Sequence, residues 1–256
     1  MTTTTTTTTT TARTTPARRP ALERTVAMRL AATEYEQFLA QLGRLSAGDW
    51  SRPTECPAWD VQAMVGHVVG MAEMSASIPE QLRQMRAARL ARGVFVDALT
   101  AVQVAKHAQD TPTELVARFA SVSPKAARGR RRTPGFVRNR RIPQGQLVGG
   151  QLESWTFGYL VDVILTRDTW MHRIDLALAV GQEPELSADH DAILVADVVQ
   201  EWAGRHGQPC QLILTGPAGG RWTFGAGREA ITYDALEFCR GLSDRGPAAL
   251  GQSVPF

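Results

Sequence analysis

Three side chains in this sequence have the types and spacing of a metal site. Asp168 and His172 lie four residues apart in the run Thr166-Arg-Asp-Thr-Trp-Met-His-Arg-Ile-Asp175. Residues at that step stand one above the other on a helix, so a carboxylate and an imidazole there can converge on one cation. Around them Phe157, Leu160, Val161, Ile164, Leu165, Leu176 and Ala179 recur at three- and four-residue steps, the pattern of a helix with one face in a core. Ionisable groups pointing into such a seam cost several kcal/mol, to order of magnitude, unless something pairs them. A metal ion is the expected partner. The third ligand is His67, which shares an inward stripe with Met64, Val68 and Met71. Three protein ligands leave an open fourth position on zinc or a similar divalent ion, the pattern of a catalytic site. Asp175, one turn beyond His172, is placed to orient a ligand as an outer acceptor.

The remaining polar candidates have plainer readings. Cys56 precedes Pro57 in a loop and reads as an inert structural thiol, although it lies near enough in sequence to His67 to approach the metal. Trp50 and Trp59 read as packing anchors of that loop. His107, His190 and His206 fall near expected helix ends, which suggests surface roles.

The elements that must position these residues follow in order. Residues 1–20 form a threonine tract followed by Ala, Pro and Arg, with nothing to bury, and are expected to be a disordered tail. Val26, Leu30, Tyr35, Phe38, Leu39, Leu42 and Leu45 mark a first helix. A Pro-punctuated loop leads to Asp60, an expected N-cap for the helix carrying His67. A third helix is expected over about 80–107, broken near Gly93. Thr111-Pro-Thr-Glu114 is a capping box with proline at the first helical position and opens a short helix towards Val122. Residues 123–150 show no periodicity and read as a long basic crossover loop. The central helix then runs from about 156 to Gly181, and Ser187 is expected to cap a helix reaching about Gly204. Gln211–Thr215 and Arg221–Phe224 are expected strands of a hairpin, Ile231–Tyr233 a third strand, and Asp234-Ala-Leu-Glu237 the start of a last helix. The result is a helical bundle over residues 21–206 and a small α/β domain over 207–256.

Composition narrows the function classes. The chain has 256 residues, 43% of them hydrophobic, and no uncharged apolar run approaches the roughly 18 residues of a membrane span. Its three cysteines are widely spaced, which argues against a disulfide framework and places the protein in a reducing cytoplasm. The net charge of +3 conceals an uneven distribution. Three arginines in residues 1–19 and eight basic residues in 121–141 stand without a single acid, and setting those eleven aside leaves 17 basic against 25 acidic residues. An acidic body and a basic segment with few aromatics argue against nucleic acid as partner.

Three segments together carry a family resemblance: Trp59-Asp-Val-Gln-Ala-Met-Val-Gly-His67, Thr166–Asp175, and Leu236-Glu-Phe-Cys-Arg-Gly-Leu-Ser-Asp-Arg245. In order and spacing, over about residues 25–250, they resemble the mycothiol-dependent maleylpyruvate isomerase family. The resemblance implies a mainly α fold, a DinB-like up-down four-helix bundle followed by a small, sterol-carrier-like α/β domain. It also implies a metal triad at His67, Asp168 and His172, with Glu in the family's isomerase where this chain has Asp168. The family's functional C-terminal arginine corresponds to Arg245, here in Ser-Asp-Arg where the family pattern leads one to expect Ser-Gly-Arg. The implied cofactors are a divalent metal, zinc foremost, and mycothiol, whose thiolate adds to the cis double bond of maleylpyruvate and departs after rotation to give the trans product. Such a dianion needs cations, and Arg167, Arg173 and Arg245 are the candidates. A mycothiol S-transferase acting on another electrophile and a non-enzymatic DinB-like metal-binding protein are the alternatives.

Overall fold

The computed structural model describes residues 16–91, 94–226, 230–246 and 252–256. Helix α1 (Arg24–Leu42) is capped by the Glu23 carboxylate, which accepts from the Thr25 and Val26 amides. Helix α2 (Val61–Ala76) begins at Asp60, whose side chain accepts from the Ala63 amide at 2.8 Å, as the sequence predicts. Two helices follow in place of one broken helix, α3 (Ile78–Leu90) and α4 (Phe95–His107); Gly93, the expected break, lies outside the described residues. Helix α5 (Pro112–Arg132) opens with the predicted Thr111/Glu114 capping box.

Helix α5 also overturns the expected basic loop. It continues ten residues past Val122, with Pro124 inside it, and a short helix α6 (Gly135–Arg138) and a hairpin of β1 (Gln146–Val148) and β2 (Gln151–Glu153) account for much of the rest. The buried face runs Leu115, Phe119, Ser123, Ala126, Arg130, so helical periodicity persists but passes to a charged residue. Arg130 is 1% exposed and is satisfied by the Val161 carbonyl, the Thr166 hydroxyl and the Tyr35 hydroxyl. A pattern search for apolar residues cannot see an arginine in a core position.

The central helix starts at α7 (Phe157–Tyr159), passes through a π-helical turn at Leu160–Ile164, and continues as α8 (Leu165–Ala179). Helices α1, α5, α2 and α8 close a ring in which each packs on the next, around Phe38, Val65, Phe119 and Leu165, and α3 and α4 cover the outside of α2. The α2/α4 approach depends on Gly70, where a Cβ would stand 2.7 Å from the Cβ of Gln103.

Helix α9 (Asp191–His206) starts four residues after the expected cap. Ser187 does not cap it; its amide and hydroxyl instead donate to the Asp191 carboxylate. The C-terminal strands match expectation: β3 (Cys210–Thr215) is central, antiparallel to β4 (Gly220–Phe224) and parallel to β5 (Ala230–Asp234), which leads into α10 (Ala235–Leu242). Leu212, Leu214, Phe238 and Leu242 share an apolar cluster with Val198 and Trp202 of α9 and with Trp170, Met171 and Ile174 of α8.

Helix α8 is therefore a wall between two cores. Leu165 and Leu176 face the bundle, while Trp170, Met171 and Ile174 face the sheet side. The sequence suggested one buried face, but this helix is buried on all sides because both layers press on it, its charged residues included. Part of the segment expected as a tail is held in place. Residues 1–15 lie outside the described residues, but Arg18 exchanges backbone hydrogen bonds with Ser154 and Thr156 and pairs with Glu153 at 3.2 Å.

Candidate metal centre

His67 enters from α2, and Asp168 and His172 from successive turns of α8. His67 Nε2 lies 3.5 Å from Asp168 Oδ2, and His172 Nε2 lies 3.7 Å from Asp168 Oδ1. The three ligand atoms are within 4.8 Å of one another. A tetrahedral ion with bonds of roughly 2.0–2.2 Å holds its ligands roughly 3.3–3.6 Å apart, so the observed spacing suits one cation. The hydrogen bonding agrees: among the described residues Asp168 Oδ2 is buried with no hydrogen-bond donor. A buried carboxylate oxygen facing an imidazole nitrogen calls for a positive partner.

The electrostatics of the cluster point the same way. Burial disfavours charge on both Asp168 and His172, yet the attraction between them prevails. Against its desolvation, Asp168 is lowered from 3.8 to about 2 by the two imidazoles, and His172 is raised from 6.5 to about 10 by Asp168 and Asp175. A proton on His172 thus supplies positive charge at the place where the ligand atoms converge.

Asp175 stands where the sequence places an outer acceptor. It is wholly buried and faces His172 Nδ1 at 3.1 Å, which fixes the ring and turns Nε2 towards Asp168. Arg245 completes the chain, its Nε donating to both Asp175 oxygens at 2.9 and 3.0 Å. The departure from Ser-Gly-Arg has a conformational explanation. Asp244 has φ of 61°, the left-handed region that favours glycine and that Asp tolerates better than most residues. The turn that follows α10 and delivers Arg245 is thus made with an aspartate.

Arg167 and Arg173 are not brought to this centre. Arg167 is 1% exposed and pairs with Asp197 at 2.6 Å and Glu201 at 2.9 Å; Arg173 pairs with Glu34 at 2.8 Å and Asp191 at 2.6 Å. Because α8 is enclosed on all sides, arginines leaving its flanks meet α9 and α1 rather than the site. Two histidines expected at the surface are buried for similar reasons: His107 between Glu73 and Asp110, His190 against Glu34. His206 is partly buried, its ring 4.3 Å from that of Trp202.

Two residues read as structural stand at the centre. The Trp59 ring lies 5.2 Å from that of His67 and 5.9 Å from that of His172, covering both imidazoles. Cys56 Sγ is 4.0 Å from Asp175 Oδ2 and 3.8 Å from Arg245 Nη2, and it forms a second close group with His172 and Asp175. The signal for both was their loop, Thr54–Asp60, which ends at the N-cap of the helix carrying His67. The centre opens into a cavity of about 410 Å³ lined by His67, Asp168 and Arg245 and by apolar side chains from α2, α4, β1 and the π-helical turn. Neighbouring turns of π-helix are frequent at functional sites, and this one sets the phase of α8 just before Asp168.

The fold and the centre define a helical-bundle protein that gathers two histidines and an aspartate able to hold a cation from two of its helices and closes over them with a small α/β unit. The family model described as "Mycothiol maleylpyruvate isomerase N-terminal domain" matches residues 30–177, and the chain belongs to that family. Two solved structures resemble it throughout. One is the crystal structure of the mycothiol-dependent maleylpyruvate isomerase, 15% identical, with a TM-score of 0.55, covering 88% of this chain and 90% of that one. The other is a histidine-to-alanine mutant of the mycothiol-dependent maleylpyruvate isomerase, also 15% identical with a TM-score of 0.55, covering 91% and 95%. At that identity the likeness is one of fold. No curated protein matches the sequence.

Proposed function

We propose that this chain is a divalent-metal-dependent enzyme that uses mycothiol to attack an electrophilic carbon, in the manner of a maleylpyruvate isomerase or a related thiol transferase. The observation that carries the reading is the convergence of His67 Nε2, His172 Nε2 and an undonated Asp168 oxygen at the base of a cavity. His67, Asp168 and His172 would hold the ion, and their two nitrogens and one oxygen suit zinc. When bound, such a cation lowers the pKa of a thiol at its open position and so supplies a thiolate at neutral pH.

The protein's own residues prepare that centre. Asp175 accepts the Nδ1 proton of His172, so that a bound cation would take the place of the proton on Nε2. Arg245 holds the Asp175 carboxylate in place by donating to both its oxygens, and it lines the cavity. Trp59 shields the imidazoles. The surrounding apolar walls keep the site dry, which strengthens every charge interaction inside it. The work belongs in a reducing cytoplasm; the three cysteines are free, and no helix among the described residues is long and apolar enough to cross a membrane.

One observation favours transfer to another electrophile over isomerisation. Of the three arginines expected to hold a dicarboxylate, only Arg245 reaches the cavity. Incubating the metal-loaded protein with mycothiol and maleylpyruvate decides between the two. Formation of fumarylpyruvate establishes the isomerase. Loss of free thiol with other electrophiles, and no isomerisation, establishes the transferase. No thiol-dependent reaction with any electrophile would refute both.

A further inference from the structure

The cavity's lining indicates what it receives. Among the described residues its charged side chains are three carboxylates, Asp97, Asp168 and Asp244, against one guanidinium, that of Arg245. Arg245 is already committed, since its Nε donates to both oxygens of the wholly buried Asp175. A divalent ion at the triad would bring the lining only to neutrality, and a thiolate beside it would make the sum negative again. A substrate with two carboxylates would therefore leave water for a site with no net positive charge and no free bidentate partner. The rest of the wall is apolar, with Met71, Phe95, Leu99, Trp155 and Leu160 around a volume of about 410 Å³, within the roughly 300–1,000 Å³ usual for small-molecule sites.

We infer that this cavity selects an uncharged, largely apolar electrophile, such as an aryl-substituted α,β-unsaturated ketone, over a dicarboxylate. The inference rests on reading the centre as thiol-activating and specifies the substrate class of that same site. Aromatic and aliphatic walls gain from covering an apolar ligand, while Asp97 and Asp244 repel an anion at the mouth.

The test is calorimetric titration of the full-length protein after chelation, so that maleate has no metal ion to coordinate, with benzylideneacetone and maleate as probes. Benzylideneacetone is expected to bind at least about tenfold more tightly than maleate. The Leu99→Arg variant, which places a second cation on the half-buried wall, should reverse that order, with circular dichroism confirming its fold. Equal or tighter binding of maleate to the unmodified protein would overturn the inference, as would failure of benzylideneacetone to bind at millimolar concentration. Failure of the underlying reading has a different signature. A protein that prefers benzylideneacetone but never consumes mycothiol when metal-loaded would sink the thiol-activating centre and leave the cavity's selectivity standing.

Discussion

Replacing Asp175 by Asn tests whether the centre is organised from behind. The substitution keeps shape but removes the charge that faces His172 Nδ1 at 3.1 Å and accepts from Arg245 Nε at 2.9 Å. An amide can accept from one of these donors, but its NH2 then meets the other, so either the imidazole or the guanidinium loses its partner. Loss of an outer-shell acceptor typically lowers metal affinity by roughly 10- to 100-fold, about 1.4–2.7 kcal/mol. Leaving a buried donor unsatisfied costs about 1–3 kcal/mol of stability, which a domain of ordinary stability survives. Affinity is read by competition with a chromophoric chelator, and stability by thermal melting. Asp110→Asn is the control, because Asp110 faces His107 Nδ1 at 2.8 Å in a pair outside the centre. That variant should lose stability and keep its metal affinity. If Asp175→Asn folds and binds metal within twofold of the unmodified protein, the outer-shell reasoning is wrong.

Other outcomes follow from the same geometry. Arg167→Ala leaves the buried Asp197 without its cation, whereas Glu201 keeps Arg205 at 2.7 Å, and should cost about 3–5 kcal/mol in denaturant titration, while metal content per folded chain stays unchanged. Asp244→Gly relieves a left-handed aspartate and should raise stability by about 1 kcal/mol without moving Arg245. Glu153 and Glu201 resist protonation because their arginine partners outweigh the desolvation that opposes them. Their folded pKa values lie below the unfolded ones, so their contribution is complete above the unfolded value of about 4.5 and is lost as pH falls through the folded values. Thermal midpoints should accordingly drop as pH is lowered from 5 to 3, and the drop should be smaller in a Glu153→Gln variant.

The clustering of His67, Asp168 and His172 was legible in the sequence because side chains that converge on one point of a helix face obey the same four-residue step as its core. Asp168, His172 and Asp175 could be placed on one stripe before any coordinates, and Asp60 and Thr111 fixed two helix starts through caps of known chemistry. What escaped were polar residues with tertiary partners. Arg130 occupies a core position that is tolerable only because the π-helical turn offers it a carbonyl and α8 a hydroxyl, so the second half of its helix read as a loop. Arg167 and Arg173 read as available cations because the carboxylates that neutralise them come from elements far away in sequence. Trp59 and Cys56 became neighbours of the site only through the packing of their loop, which no periodicity encodes.

The central claim is that His67, Asp168 and His172 hold one divalent cation between them. Elemental analysis of the purified full-length protein, beside the His67→Ala and His172→Ala variants, tests it most directly. The account predicts about one divalent ion per chain and its loss from both variants while their helical circular dichroism persists. A protein that carries no stoichiometric metal, or variants that retain it undiminished, would contradict the account.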